Sequence, residues 1–129
     1  MINKFLEQNS DKFYFVFRIL VGLVFFLHAI MKWPGMLNGQ ISMFSLFWFA
    51  GIIETVAGVF IILGLFVRGV ALIGALEMLV AYFYVHVPSK GFHPLQNGGE
   101  PAVLFFAAFL ALIAYGAGKW SIDKARSKK

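Results

Sequence analysis

Long apolar runs alternate with short polar connections along the chain, and this pattern predicts four membrane-spanning helices. Each run is about 18–24 residues long, the length that a helix needs to cross roughly 30 Å of hydrocarbon. A helix also satisfies its own backbone hydrogen bonds, as any lipid-exposed segment must. We therefore expect helices at about residues 13–33, 44–67, 69–87 and 101–118, followed by a basic tail at 119–129.

Turn-forming residues separate these runs. Pro34 and Gly35 are expected to end the first helix, because proline lacks a backbone donor and clashes with the preceding turn. Arg68 and Gly69 form a very short link between the second and third runs. Pro101 suits the first position of the fourth helix.

Composition supports the same fold class. Of the 129 residues, 60% are hydrophobic and 13% are charged, and the mean hydropathy is +0.82. A soluble domain has about 45–50% apolar and about 25% charged residues. The expected fold is all-α, an integral membrane four-helix bundle that forms one domain over residues 1–129.

Lysine and arginine positions predict the orientation of this bundle, because cytoplasmic connections carry an excess of both. Basic residues lie in the N-terminal segment, in the link between the second and third runs, and in the tail. Both termini are therefore expected in the cytoplasm. The tail is expected to contact anionic lipid rather than nucleic acid. Its basic residues are Lys119, Lys124, Arg126, Lys128 and Lys129.

The chain contains no cysteine, which excludes disulfides, a thiol nucleophile and cysteine-ligated metals. Electrons in any redox role must therefore sit on a bound molecule or a partner. No phosphate-binding loop, dinucleotide fingerprint or zinc-protease motif is present. A group of His28, Glu54 and Glu77 lacks a metal-specific spacing, so no metal site is predicted. The histidines differ in depth by roughly 7 Å or more, which argues against a haem with two histidine ligands.

Two acidic residues lie where the chain is otherwise built for lipid. Glu54 and Glu77 each lie about 15 Å below the outer edge of their helices. Their helix faces also carry the small residues Gly51, Gly58 and Gly74, which allow close helix approach, so both acids are expected to point into the bundle. Two acids close together in a low dielectric resist ionising together, and the pair is expected to hold at least one proton. Acids within membrane segments mark functional sites, although mutual hydrogen bonding between helices is the alternative role.

Other polar residues are candidates with alternative roles. His28 lies roughly 7 Å nearer the outer edge than the acids and is either a site residue or a packing histidine. Arg18 is expected to snorkel toward the inner headgroups, and Lys32 to anchor the helix at the outer edge. Glu100 precedes the fourth helix and is expected to cap it. The candidate site residues are Glu54, Glu77, His28, Lys32, Glu100 and Arg18.

Three motifs in order give the chain a family resemblance. The first helix reads "RILVGLVFFLHAIMKW", and the second run with its link reads "GIIETVAGVFIILGLFVRGVAL". The C-terminal part reads "NGGEPAVLFFAAFLALIAYGAGKWSID". Together these segments, from about Phe15 to Asp123, resemble the DoxX family of small four-helix bacterial membrane proteins. Ala29 and Ala117 stand where the family often has glycine and proline.

The resemblance implies a multi-pass protein of the bacterial cytoplasmic membrane that is associated with membrane redox chemistry. The family takes its name from subunits of a thiosulfate:quinone oxidoreductase, so a quinone is the implied ligand and a membrane redox protein the implied partner. In this hypothesis Glu54 and Glu77 hydrogen-bond the ligand, His28 relays protons, and Glu100 with its loop forms the entrance.

Two alternatives come from other classes of protein. A small proton- or ion-coupled carrier would use the same acids and would need to form a homo-oligomer, because four helices are few for alternating access. A structural or assembly partner of a membrane complex would use the acids only to hold its helices together.

The expected orientation can be measured with reporter fusions. A green fluorescent protein fused after Lys129 should fluoresce, because it folds in the cytoplasm. An alkaline phosphatase fused after Gly39 should be active, because it folds outside, whereas the same enzyme fused after Gly69 should be inactive. An active phosphatase at the C-terminus would contradict the orientation.

Overall fold

The computed structural model describes residues 1–127; Lys128 and Lys129 of the predicted basic tail lie outside the described residues. This part of the chain is helical and contains no strand, which confirms the all-α class. Helices α1, α2 and α3 are long and apolar enough to cross a membrane, and α5 is a shorter apolar helix. The helices are α1 (Ile2–Leu37), α2 (Leu46–Leu63), α3 (Val67–Lys90), α4 (Pro94–Asn97), α5 (Glu100–Tyr115) and α6 (Ile122–Arg126).

Helix α1 is longer at both ends than the predicted 13–33. It begins at Ile2, because the polar N-terminal residues are compatible with a helix outside the apolar run. The expectation that Pro34 ends the helix is wrong. Pro34 lies in the last turn, where it deprives one carbonyl of its donor, and its own carbonyl accepts from the backbone N–H of Asn38 at 3.0 Å.

The predicted link at Arg68 and Gly69 is also displaced. Helix α2 ends at Leu63 because Gly64 adopts a left-handed conformation, with φ of 69°, that closes the last turn. Helix α3 then begins at Val67, so that Arg68 and Gly69 lie in its first turn. The link consists of the three residues 64–66.

Helix α3 continues to Lys90 rather than ending near residue 87. Its segment Ala81–His86 is a π-helix, a wider turn that stands just before Pro88. Proline cannot donate to the carbonyl four residues earlier, and the wider turn lets the helix continue past it. The fourth spanning helix is shorter than the predicted 101–118, since Gly116 ends α5 with a positive φ of 74°.

The four spanning helices pack as two pairs, α1 against α2 and α3 against α5. Glycines bring the first pair together. A methyl group at Gly22 would lie 2.9 Å from the backbone nitrogen of Ile62, and one at Gly58 would lie 2.9 Å from that of Phe26. The two pairs share a core that includes Phe25, Ile61, Ala71, Phe109 and Leu112.

The pairs define two ends of the bundle. The loop end carries the connections 38–45 and 91–99. The tail end carries the link 64–66 and the segment 116–121, which follows α5. Helices α1 and α3 run from the tail end to the loop end, and α2 and α5 run in the opposite direction.

The expectation that Arg18 snorkels to headgroups is wrong. Its side chain lies inside the tail end with 2% exposure. The guanidinium donates to the carbonyl oxygens of Ala117, Trp120 (2.8 Å) and Ile62 (3.5 Å). Because segment 116–121 turns back across α1 and presents its carbonyls inward, the arginine finds acceptors within the protein and does not need the headgroups.

The C-terminal segment also caps α3. The two carboxylate oxygens of Asp123 accept from the backbone N–H groups of Phe66 (2.9 Å) and Val67 (3.2 Å). In return, the backbone N–H of Asp123 donates to the carbonyl of Gly64 at 3.0 Å. A carboxylate at this position satisfies the first N–H groups of the helix and suits its dipole.

Replacing Arg18 by methionine is expected to destabilise the tail end. Three part-buried carbonyls would lose a donor, so the free energy of unfolding should fall by about 3 kcal/mol. Thermal unfolding in mild detergent, followed by tryptophan fluorescence, measures the change. The matched control is Arg126→Met, since Arg126 is exposed and its guanidinium lies 5.0 Å from the ring centroid of Phe66. This control should lose about 1 kcal/mol or less; equal losses in the two variants would contradict the role of Arg18.

Candidate functional site

A cavity of about 540 Å³ lies between the four spanning helices in the half of the bundle nearest the loop end. Most of its lining is apolar. The polar residues in the lining come from three segments: α1, the middle of α2 and the second half of α3. They are His28, Lys32, Glu54, Glu77 and His86.

Lys32 and Glu54 form an ion pair in the wall of this cavity. The ammonium of Lys32 donates to both carboxylate oxygens of Glu54, at 2.7 Å and 2.5 Å. The side chain of Glu54 is 4% exposed and that of Lys32 is 22% exposed. A buried carboxylate in a membrane segment needs such a partner, because lipid offers it no solvation. Lys32 was expected to anchor the helix at the membrane edge; the structure turns it inward to neutralise Glu54.

Helix direction explains this pairing. Side chains on a helix tilt toward its N-terminus. On α1 this tilt carries Lys32 away from the loop end, and on α2 it carries Glu54 toward the loop end, so the two charged groups approach each other. On α3 the tilt carries Glu77 toward the tail end, away from Lys32.

Glu77 lines the same cavity but has a different environment. Its Oε2 atom is buried and has no hydrogen-bond partner among the described residues. Glu54 and Glu77 therefore share one cavity, as their equal depth predicted, but Glu54 is bonded to Lys32 and not to the other acid. A buried carboxyl oxygen without a partner is costly, and a ligand in the cavity could supply the missing hydrogen bond.

Two histidines complete the polar part of the lining. Nδ1 of His28 lies 2.9 Å from the carbonyl of Val24, and Nδ1 of His86 lies 3.1 Å from that of Asn97. Since a carbonyl only accepts, each Nδ1 carries the proton and donates. In the neutral tautomer that carries its proton on Nδ1, Nε2 is left as an acceptor.

The structure does not bring all six predicted candidates together. Glu100 is the first residue of α5, where it is exposed and does not line the cavity. Arg18 lies at the tail end, where it binds backbone carbonyls. His28, Lys32, Glu54 and Glu77 do share the cavity. Among residues 1–127, no three histidine, aspartate or glutamate side chains are arranged to hold a metal ion.

Two lining features were not among the sequence-predicted candidates. His86 lines the cavity because α3 continues past residue 87, where the helix was predicted to end. Phe105 packs its ring edge-on against His28, with centroids 5.3 Å apart. Only the pairing of α1 with α5 reveals this contact, and no local sequence signal reports it.

Comparisons with known proteins support the family resemblance that the sequence motifs indicated. Residues 13–87 match the model of the DoxX family. An uncharacterized protein of Haemophilus influenzae is 39% identical over 134 residues, which cover 96% of this chain and 98% of that protein. An uncharacterized membrane protein of Mycobacterium tuberculosis is 27% identical over 131 residues, which cover 87% of this chain and 80% of that protein. No solved structure matches the chain.

The ion pair can be tested with a double-mutant cycle. Lys32→Met should lower the free energy of unfolding by about 3 kcal/mol, because it leaves the carboxylate of Glu54 buried without a partner. Adding Glu54→Met should recover most of this loss, since both charges are then gone. Thermal unfolding of the wild type, both single variants and the double variant gives the coupling energy. Strictly additive losses would contradict a direct pair.

Proposed function

Because this chain belongs to the DoxX family of membrane proteins, we propose that it is a membrane-embedded binding subunit that supports quinone-linked redox chemistry in a bacterial cytoplasmic membrane. The observation that carries the proposal is the cavity, which combines an apolar lining with a few polar groups. Small-molecule sites in proteins have this composition, and their volumes are roughly 300–1,000 Å³.

The polar groups suit the head of a quinone-like molecule. Such a head carries two oxygens on a flat apolar ring, and it hydrogen-bonds through carbonyls when oxidised and through hydroxyls when reduced. Glu77 offers a carboxyl with one unpartnered oxygen, and the histidines at positions 28 and 86 offer Nε2 acceptors. These acceptors favour the hydroxyl groups of the reduced form.

The ion pair between Lys32 and Glu54 determines which acid of the cavity is available to a ligand. Lys32 stabilises the negative charge of Glu54 and leaves Glu77 as the acidic group without a described partner. We assign Glu77 to direct contact with the ligand and the Lys32–Glu54 pair to shaping and polarising the cavity. A protonated Glu77 can donate to a carbonyl and an ionised one can accept from a hydroxyl, so this carboxyl can exchange a proton with the head.

Electron transfer is assigned to the ligand and to a partner protein. The chain has no cysteine that could hold an iron–sulfur cluster or form a disulfide. A bound quinone supplies two-electron chemistry, and the protein's own residues bind its head, hold a proton and exclude water. A membrane redox enzyme is the partner that this division of roles requires.

The experiment is to purify the protein in nanodiscs and identify bound small molecules by mass spectrometry. Wild type, Glu77→Gln and Glu54→Gln are compared at equal protein and lipid content, with empty nanodiscs as the blank. We expect a quinone above the blank in the wild type and at least a tenfold loss in Glu77→Gln. Leu104→Gln, an exposed substitution on α5 outside the cavity lining, is the control and should retain the ligand.

Other outcomes point to other functions. Wild-type protein that carries no quinone, and that takes none up when a quinone is added, would contradict the proposal. Proton flux in liposomes that Glu54→Gln abolishes would favour a carrier. Empty protein whose Glu→Gln variants lose only stability would favour a structural partner.

A further inference from the structure

The cavity is closed unevenly by the helices around it. On the side of α1 and α5, aromatic rings pack across the boundary. Phe25 lies 5.2 Å from Phe105 and 4.9 Å from Phe109, measured between ring centroids, and His28 packs edge-on against Phe105. These aromatic contacts join α1 to α5 beside the cavity.

The opposite side, between α2 and α3, lacks such aromatic contacts beside the cavity. Among the described residues, no hydrogen bond or aromatic pair joins the lining residues 46–53 of α2 to the lining residues 73–86 of α3. Several lining side chains here are about half exposed: Phe47 on α2 is 53% exposed, and Leu76 and Val80 on α3 are 55% and 48% exposed. They therefore belong both to the cavity and to the surface that faces the bilayer.

The position of the link between α2 and α3 is compatible with an opening on this side of the cavity. Helices α2 and α3 are joined only at the tail end, by the three residues 64–66, and the cavity lies between them toward the loop end. We call this opening the α2–α3 cleft. The exposed lining side chains at this opening, Phe47, Leu76 and Val80, are apolar, and Lys32, Glu54 and Glu77 line the same cavity.

We propose that the α2–α3 cleft is a lateral opening to the bilayer, occupied by the apolar chain of an amphipathic ligand whose polar head lies in the cavity. The inference rests on the proposed function and adds the route of entry and the need for a chain. A cavity of about 540 Å³ holds a ring-sized head, whereas a long isoprenoid or alkyl chain exceeds that volume and must leave by the open side. The cleft excludes charged, tail-less molecules because its walls offer them no solvation.

Two leucines of α3 give a matched pair of test positions. Leu72 and Leu76 lie one turn apart, with exposures of 52% and 55%, but only Leu76 lines the cavity. Leu76→Trp fills the cleft, and Leu72→Trp adds the same bulk on the lipid side. Val80→Trp fills the cleft at a second position, in case Leu76→Trp fails to fold.

Binding of two probes is measured in nanodiscs, with empty nanodiscs used to subtract partitioning. One probe is a benzoquinone with a long polyisoprenoid chain, which the cavity cannot contain, and the other is the same ring without the chain. Wild type should bind the chain-bearing probe at least tenfold more tightly. Leu76→Trp should weaken that probe at least tenfold and the bare ring less than twofold, whereas Leu72→Trp should change neither by more than twofold.

The possible failures are distinguishable. Wild type that binds neither probe overturns both the proposed function and the cleft. Wild type that binds both probes with equal affinity, or that loses no affinity in either cleft variant, overturns the cleft and leaves the binding function standing. A change of oligomeric state in Leu76→Trp with unchanged probe binding would also overturn it, because a second copy of the chain would then cover the cleft.

Discussion

A charged side chain inside the hydrocarbon must be paired with polar groups of the protein, and helix α1 carries two such side chains, Arg18 and Lys32. Near the tail end, Arg18 is surrounded by backbone carbonyls of segment 116–121 and of α2. Near the loop end, Lys32 is held by the carboxylate of Glu54. The first arrangement ties the C-terminal segment to the bundle, and the second leaves a polarised wall in a cavity. Both depend on the close packing of α1 against α2 at Gly22 and Gly58.

The direction in which each helix runs decides which charges meet. Depth along the chain placed Glu54 and Glu77 at one level, and both do line one cavity. Depth of the backbone, however, ignores the tilt of side chains toward the N-terminus. Antiparallel neighbours such as α1 and α2 tilt their side chains in opposite directions along the bundle axis. Because the backbone of Lys32 lies nearer the loop end than that of Glu54, these tilts bring the two side chains together. Backbone depth alone therefore predicted that the two acids share a cavity, but it did not predict that Glu54 pairs with Lys32.

Most of the fold could be predicted because the lengths of the apolar segments and the turn residues between them are local features of the sequence. The four apolar segments, the all-α class and the membrane setting follow from them, whereas the side of the membrane on which the termini lie stays a prediction. Helix ends were predicted less accurately, because Pro34 and Pro88 are tolerated in the last turns of their helices. The hydrogen bonds of Arg18 and Asp123 could not be predicted from the sequence. Their partners lie 44 to 102 residues away in the chain, and only the packed bundle brings them together.

The tie between Arg18 and segment 116–121 also bears on how the protein enters its membrane. Segment 116–121 follows all four spanning helices in chain order, so the ribosome makes it after them. Helix α1 consequently reaches the lipid before the carbonyls that will accept from its arginine have been synthesised. Until then the guanidinium must rest among headgroups or be shielded by the insertion machinery. Insertion and final packing are thus separate steps for this chain, and the arginine reaches its carbonyl acceptors in segment 116–121 only in the second.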